Sequence, residues 1–166
     1  FFSEMRRSLG RKWSGMAPEE TELHPSPAGW RYRWRGQVEI AHGAPHLKAL
    51  GSSELVPCPD CLLFSRALAE GIRRNSSELA PGRRTLAASP ETGEVRGDGD
   101  TSRLVLPLPE YGLKLMPLAG SFFQANWRLN QELIRFVEAR TAGFDRVADL
   151  FAGAGNFALP CATSAG

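Results

Sequence analysis

VADLFAGAGNFALP, residues 147–160, decides how the rest of the chain is read. An apolar run ending at Asp149, Leu150 and Phe151 has the length of a buried strand, and Gly153-Ala154-Gly155 is a turn signal opening a helix near Asn156. Strand, glycine turn and helix in that order make the first unit of an α/β nucleotide-binding domain. A residue without Cβ lets the backbone turn sharply and approach a ligand closely, which is what Gly153 and Gly155 offer. With Ala158 they also satisfy the G-x-G-x-x-G/A dinucleotide pattern, which has low specificity alone. Asp149 bears on the choice of ligand. A carboxylate just before the turn repels a pyrophosphate seated on the helix N-terminus, whereas S-adenosylmethionine carries a sulfonium and an ammonium and no phosphate. The local argument therefore favours a methyl-donor site over a dinucleotide site, with a purely structural turn as the plain alternative.

Composition sets the frame. The 166 residues suffice for one ordinary domain, or a small one and part of another, and 42% apolar with 23% charged residues is the balance of a folded chain. A net charge of +2 means that affinity for nucleic acid must come from local clusters of cations. No apolar run is long enough to span a bilayer and the opening Phe1-Phe2 is followed at once by charges, so a cytoplasmic setting is the default expectation. The chain opens without Met and stops at Gly166, one short helix after the glycine turn, while a doubly wound domain needs further βαβ units. The expectation is of a protein cut at both ends.

Residues 3–13 form a basic stretch of helical spacing and 16–29 a Pro-, Glu- and Ser-rich linker, so residues 1–29 are taken as helix and linker. Along residues 31–40 the odd positions carry Arg31, Arg33, Arg35, Gln37 and Glu39, and the even ones Tyr32, Trp34, Val38 and Ile40. Alternation puts three guanidiniums on one face of a strand and the apolar side chains on the other. Arginine matches phosphate bidentately, so that face is a candidate RNA-contacting stripe, its alternative being a solvated strand face. Residues 41–50 suggest a turn, 51–56 a short strand, 65–73 a helix with Leu68 and Ile72 on one face, and 85–89, 103–108 and 113–116 further strands, with Pro107 and Pro109 placing one at an edge. Together they give an antiparallel α+β domain over 30–118.

Cys58 and Cys61 form a C-x-x-C, but a zinc site or iron-sulfur cluster takes four such ligands and the remaining Cys161 is far along the chain. Two free thiols are expected, with Cys161 a packing residue. Asn126 is an N-cap for a helix whose apolar face carries Leu129, Leu133, Phe136 and Val137, with Gly143 as its stop. Gln124 falls just outside that helix, beside the glycine turn, with an amide that both donates and accepts.

Phe123-Gln124-Ala125-Asn126, the helix after it, and Asp149-Leu150-Phe151-Ala152-Gly153-Ala154-Gly155-Asn156-Phe157 together resemble the junction and first methyl-donor motif of the RNA uridine-5 methyltransferases, which make 5-methyluridine in transfer or large-subunit ribosomal RNA. Tyr32-Arg33-Trp34-Arg35 resembles that family's Y-R-x-R strand, and Gly51-Ser52-Ser53-Glu54-Leu55-Val56 up to Cys61-Leu62-Leu63 its G-S-x-x-h-V…C-P-h-L segment. The likeness runs from about Trp30 to the end, weakest over 76–110.

What the resemblance implies follows residue by residue. Gln124, Phe151 and Asn156 match positions contacting S-adenosylmethionine and join Asp149, Gly153 and Gly155 as the cofactor set; Phe123 matches an aromatic near the flipped base, though it fits equally well as a core side chain. Cys61 matches the last ligand of an iron-sulfur cluster found in some members, whose three upstream ligands are missing here. The implied fold is α/β: the small antiparallel α+β central domain, then from 119–166 the first strand and glycine turn of a Rossmann-like methyltransferase domain. The implied partner is RNA. The implied chemistry is thiolate addition to carbon 6 of an extruded uridine, methyl transfer to carbon 5 and removal of its proton, with the nucleophilic Cys and the base both after Gly166, so residues 1–166 alone are expected to be inactive. A methyltransferase acting on DNA or a small molecule, or a non-catalytic RNA-binding protein, are the other classes left open.

Overall fold

The computed structural model describes residues 24–164. The expected basic helix over 3–13 and residues 16–23 of the expected linker lie outside the described residues; His24, within that linker, is exposed but rests edge-on against Phe136, ring centroids 6.3 Å apart.

The chain first builds an antiparallel sheet. Strand β1 (Arg35–Ala41) turns through His42 and Gly43, both at positive φ (52° and 70°), into β2 (Ala44–Lys48). Two left-handed residues give the tight hairpin whose twist matches that of the strands. A wider turn over 49–54 leads to β3 (Leu55–Pro57). After a bend at residues 59–60, helix α1 (Arg66–Asn75) starts at Ser65, whose Oγ accepts from the Leu68 amide at 3.2 Å. Its last turn carries Arg73 and Arg74, where the helix dipole favours cations. Strand β4 (Gly82–Ala88) then returns beside β1, and β5 (Val95–Gly97) pairs with β4. The order is β3-β2-β1-β4-β5, antiparallel throughout.

Two cores lie on opposite faces of this sheet, and β4 shows why. Alternate residues of a strand face opposite ways. Leu86 and Ala88 join Val38 and Ile40 beneath Phe64, Leu68, Ala69 and Ile72, so α1 covers that face. Ala87, between them, turns to the other face and joins Leu104, Leu106, Leu108, Leu115, Ala119, Phe123, Trp127 and Ile134. The second core is closed by the hairpin of β6 (Leu106–Leu108) and β7 (Leu113–Leu115), joined by a 3₁₀ turn at Pro109–Tyr111, and by helix α2 (Trp127–Thr141). A two-stranded ribbon has only edges, which is where Pro107 is tolerated; its carbonyl accepts from Trp127 Nε1 at 3.0 Å. This core draws on residues from both sides of position 118, where a domain boundary was expected. Helix α3 (Ala158–Ser164) ends the described chain, and no helix among the described residues is long and apolar enough to cross a membrane.

Several expectations are corrected. The strand expected from residue 31 begins at Arg35, because residues 31–33 pair instead with 62–65: the Arg31 and Arg33 amides donate to Leu62 and Leu63, and the Ser65 amide donates back to Arg33. Arg31 itself sits at φ 59°, which no strand allows. Pro45 and His46, read as turn, belong to β2, and the strand expected over 51–56 is confined to Leu55–Pro57. Strand β5 was not foreseen; Val95 is its one large apolar residue, set in a polar, Gly-rich stretch. Residues 147–151 form no strand, since a strand needs a ladder partner and none lies alongside them among the described residues. The helix expected near Asn156 starts at Ala158, after a turn over 153–157. Helix α2 also presents a different face to the core: Trp127, Asn130 and Ile134 are buried, whereas Leu133 and Phe136 are 40% and 43% exposed. The helix has apolar residues on two sides, and the β6–β7 hairpin covers the one that sequence periodicity did not select.

Candidate cofactor and RNA site

The junction before α2 is held like an extra strand. Trp34 donates its amide to Ala125 at 2.8 Å, and Arg33 bridges to Asn126 on one side and Phe64 on the other. Asn126 caps the helix as expected, Oδ1 accepting from the Leu129 amide at 3.1 Å, while Nδ2 donates to Ser26 Oγ at 2.8 Å. Gln124, two residues earlier, is half-buried on this pinned segment.

The glycine turn is fixed from the other side. Gly153 and Gly155 have φ of 54° and 84°, so both use the conformational freedom that marked them in the sequence. The Gly155 amide donates to Ala152 at 2.8 Å, closing the turn. Asn156 exchanges two amide hydrogen bonds with Asn130 of α2, which is 2% exposed. Asn130 was not singled out from sequence; the one available signal was an amide inside a helix, a placement that burial tolerates only with a partner.

Asp149 precedes the turn with its two oxygens in different states. Oδ1 accepts from the Phe151 amide at 3.2 Å; Oδ2 is buried and has no hydrogen-bond partner. An orphaned buried carboxylate oxygen is costly unless a donor arrives, and a ligand ammonium is such a donor. Phe151 stands 96% exposed and Leu150 83% exposed next to it. Both residues, with Val137, Phe144, Phe157 and Cys161, line a concavity of about 880 Å³ that also receives Asp149. Gln124, Gly153, Gly155 and Asn156 lie outside its lining. Thr141 Oγ1 approaches Cys161 Sγ at 3.5 Å, so that thiol packs against α2.

The three arginines separate. Arg31 donates through Nη1 and Nη2 to the two oxygens of Asp60 at 2.6 and 2.7 Å, and through Nη1 to the Cys61 carbonyl at 3.2 Å. That fork holds the Asp60 carboxyl below its usual range. Arg31 therefore clamps a loop instead of sharing a face with the other two. Arg33 and Arg35 each keep a buried Nε without a partner, and the Arg35 guanidinium lies 5.7 Å from the ring centre of Phe122. Phe123, matched from sequence to the aromatic near the flipped base, is 6% exposed and packs edge-on against Trp127 at 6.3 Å, the core alternative. Phe122, which sequence reading passed over, is 72% exposed. Cys58 and Cys61 are free and half-buried, and no group of three or more His, Cys, Asp or Glu side chains able to hold a metal is assembled among the described residues.

The fold resembles that of a solved methyltransferase. The crystal structure of a Pyrococcus abyssi tRNA (uracil-54, C5)-methyltransferase in complex with S-adenosyl-L-homocysteine superposes with a TM-score of 0.69, covering 98% of this chain and 54% of that one at 16% identity. By sequence the chain is a relative of the RNA uracil-5 methyltransferases. It is 30% identical over 151 residues to an uncharacterized RNA methyltransferase of Bdellovibrio bacteriovorus, covering 84% of this chain and 34% of that protein. It is 41% identical over 69 residues, 39% of this chain and 14% of the relative, to the 23S rRNA (uracil(1939)-C(5))-methyltransferase RlmD of Bordetella avium. The chain thus spans about a third or less of these curated relatives, and no family model matches it.

Proposed function

We propose that the chain is part of an S-adenosylmethionine-dependent RNA methyltransferase that forms 5-methyluridine in rRNA or tRNA. The observation that carries the reading is the buried, unpartnered Oδ2 of Asp149 at a turn whose two glycines stand at positive φ. A phosphate ligand would be repelled there and a cationic amino-acid moiety attracted. Asp149, Phe151, Gly153, Gly155, Asn156 and Gln124 form the cofactor side, with Asn156 held in place by Asn130. When bound, S-adenosylmethionine would supply an electrophilic methyl group. The chain's own part is to take the ligand ammonium at Asp149, to let the backbone approach at Gly153 and Gly155, and to offer the Phe151 ring as an apolar surface. Residues 119–166 are read as the start of a Rossmann-like catalytic domain and 30–118 as an RNA-contacting α+β domain. Arg33 and Arg35 are the phosphate contacts, and Phe122 takes the aromatic role first given to Phe123. The catalytic thiol and base come from other residues of the protein, after Gly166, and the setting is cytoplasmic.

Two measurements on the full-length protein test this together: calorimetric binding of S-adenosylhomocysteine, and transfer of labelled methyl groups to unmodified rRNA and tRNA transcripts. Binding with transfer at uridine carbon 5 is the expected result. Binding accompanied by transfer only to DNA or a small molecule, or RNA binding with no affinity for the cofactor, would overturn the reading.

A further inference from the structure

We propose that Cys58 and Cys61 are a redox-modification site, in which a small-molecule disulfide of the glutathione type converts the two thiols into a reversible intrachain disulfide. The inference does not rest on the methyltransferase reading. The chain bends at Pro59-Asp60, and each side of the bend is tied down. The Cys58 amide donates to Pro45 of β2 at 2.9 Å, and the Phe64 amide donates to the Cys61 carbonyl at 3.1 Å. Between them Asp60 is gripped by the Arg31 fork, which also donates to the Cys61 carbonyl. Arg31 reaches this position from a left-handed backbone (φ 59°), a conformation unfavourable for a residue with a Cβ. The whole arrangement fixes the backbone of both cysteines, while both remain partly exposed free thiols.

Prefixed geometry of this kind raises the effective concentration of one thiol at the other, favouring the intrachain bond over two separate adducts. In the first step one cysteine thiolate attacks the oxidant, forming a mixed disulfide and expelling one small thiol. In the second, the other cysteine loses its proton to solvent and attacks the protein sulfur of that mixed disulfide, expelling the second small thiol. Two protein thiols are oxidised, one external disulfide is reduced, and the protons end on the released thiols. Burial, with Cys61 beside it, raises the Cys58 thiol, which suits Cys58 to the second, intramolecular step. Closure ties a covalent ring onto the loop that pairs with residues 31–33, and that segment continues through Trp34 to the Ala125 carbonyl.

The test equilibrates the full-length protein in glutathione buffers of graded oxidised-to-reduced ratio, quenches with acid, alkylates and maps peptides by mass. The expected result is a peptide spanning residues 58–61 that lacks two hydrogens and resists alkylation at ratios where Cys161 is still alkylated. In Cys58→Ser the glutathione adduct should accumulate on Cys61, because the resolving thiol is gone. Cysteines that stay alkylatable across the series, or a stable glutathione adduct on Cys58 or Cys61 of the unmodified sequence, would overturn the proposal.

Discussion

Asn130 in the middle of α2 and Asn156 in the glycine turn exchange two amide hydrogen bonds, of 2.7 and 3.0 Å. A helix buried against a hairpin thus reaches out to place the loop that shapes the candidate cofactor site. Neither amide is satisfied by its own segment, so the position of the turn is set by the helix.

The pair should behave as a unit. Asn130→Ala leaves the Asn156 amide without its partner and should lower unfolding free energy by about 1–3 kcal/mol in urea titrations. Combining it with Asn156→Ala should cost less than the sum, with a coupling of about 0.5–3 kcal/mol. Simple additivity would show that the two amides do not support one another.

Asp149→Asn keeps an oxygen for the Phe151 amide, so the turn should survive. It removes the charge offered to a ligand ammonium, a charge-assisted bond of about 1.5–3 kcal/mol. Affinity for S-adenosylhomocysteine measured by calorimetry should fall by roughly one to two orders of magnitude with melting temperature unchanged. Undiminished affinity would remove Asp149 from the site.

Gly71 in α1 should resist replacement for a reason that helix propensity does not predict. Alanine would favour the helix by about 1 kcal/mol. A Cβ there would meet Val95 Cγ2 at 2.4 Å and Cβ at 2.8 Å, in a buried seam between α1 and β5, and overpacking of that kind costs about 1–3 kcal/mol. Gly71→Ala should therefore destabilise, and adding Val95→Ala, which removes Cγ2 but keeps the Cβ at 2.8 Å, should recover only part of the loss.

Tyr111 donates to Glu138 at 2.5 Å, and burial together with that bond raises its hydroxyl above the ordinary tyrosine range. The folded state holds the proton more tightly than the unfolded chain does. Its contribution to stability is thus complete below about pH 10 and is lost as pH rises through the folded value. An absorbance titration should show a delayed tyrosinate step, and Tyr111→Phe should abolish that step and flatten the alkaline limb of the stability curve.

For RNA the arginines should part company. Arg33→Gln and Arg35→Gln should each lower the log–log salt slope of binding by roughly 0.7–0.9 per lost phosphate contact. Arg31→Gln should leave the slope alone and instead loosen the 58–61 bend, seen as faster amide exchange at residues 58–64. An equal loss of slope in all three would restore the single face read from alternation.

What the sequence could convey was local. Asn126 was readable as a helix start because a cap bonds three residues onward, within its own segment. The turn glycines were readable because positive φ is a property of one residue. Alternation failed at Arg31 because residues 31–33 pair with 62–65 rather than with a sheet neighbour. The buried face of α2 was missed because the β6–β7 hairpin, not the helix, decides which of two apolar sides is covered. Phe122 and Phe123 are adjacent aromatics with the same chemistry; only their packing, one ring against Trp127 and one beside Arg35, tells them apart.

The strand order β3-β2-β1-β4-β5 also governs how the molecule acquires its shape. Three strands on one side and two on the other are linked by short local connections and can each form in microseconds. The seam between them, β1 against β4, spans two strands and all of α1 in the chain, so the entropy of closing the sheet is concentrated in one event. Leu68 and Ile72 share one core cluster with Val38 and Ile40 of β1 and Leu86 and Ala88 of β4, so α1 is the expected nucleus on which the two halves dock. Lengthening the loop at residues 76–81 should barely slow folding, since doubling a loop costs only about 0.6 kcal/mol. Truncating Leu68 or Ile72 should slow it in proportion to the stability lost.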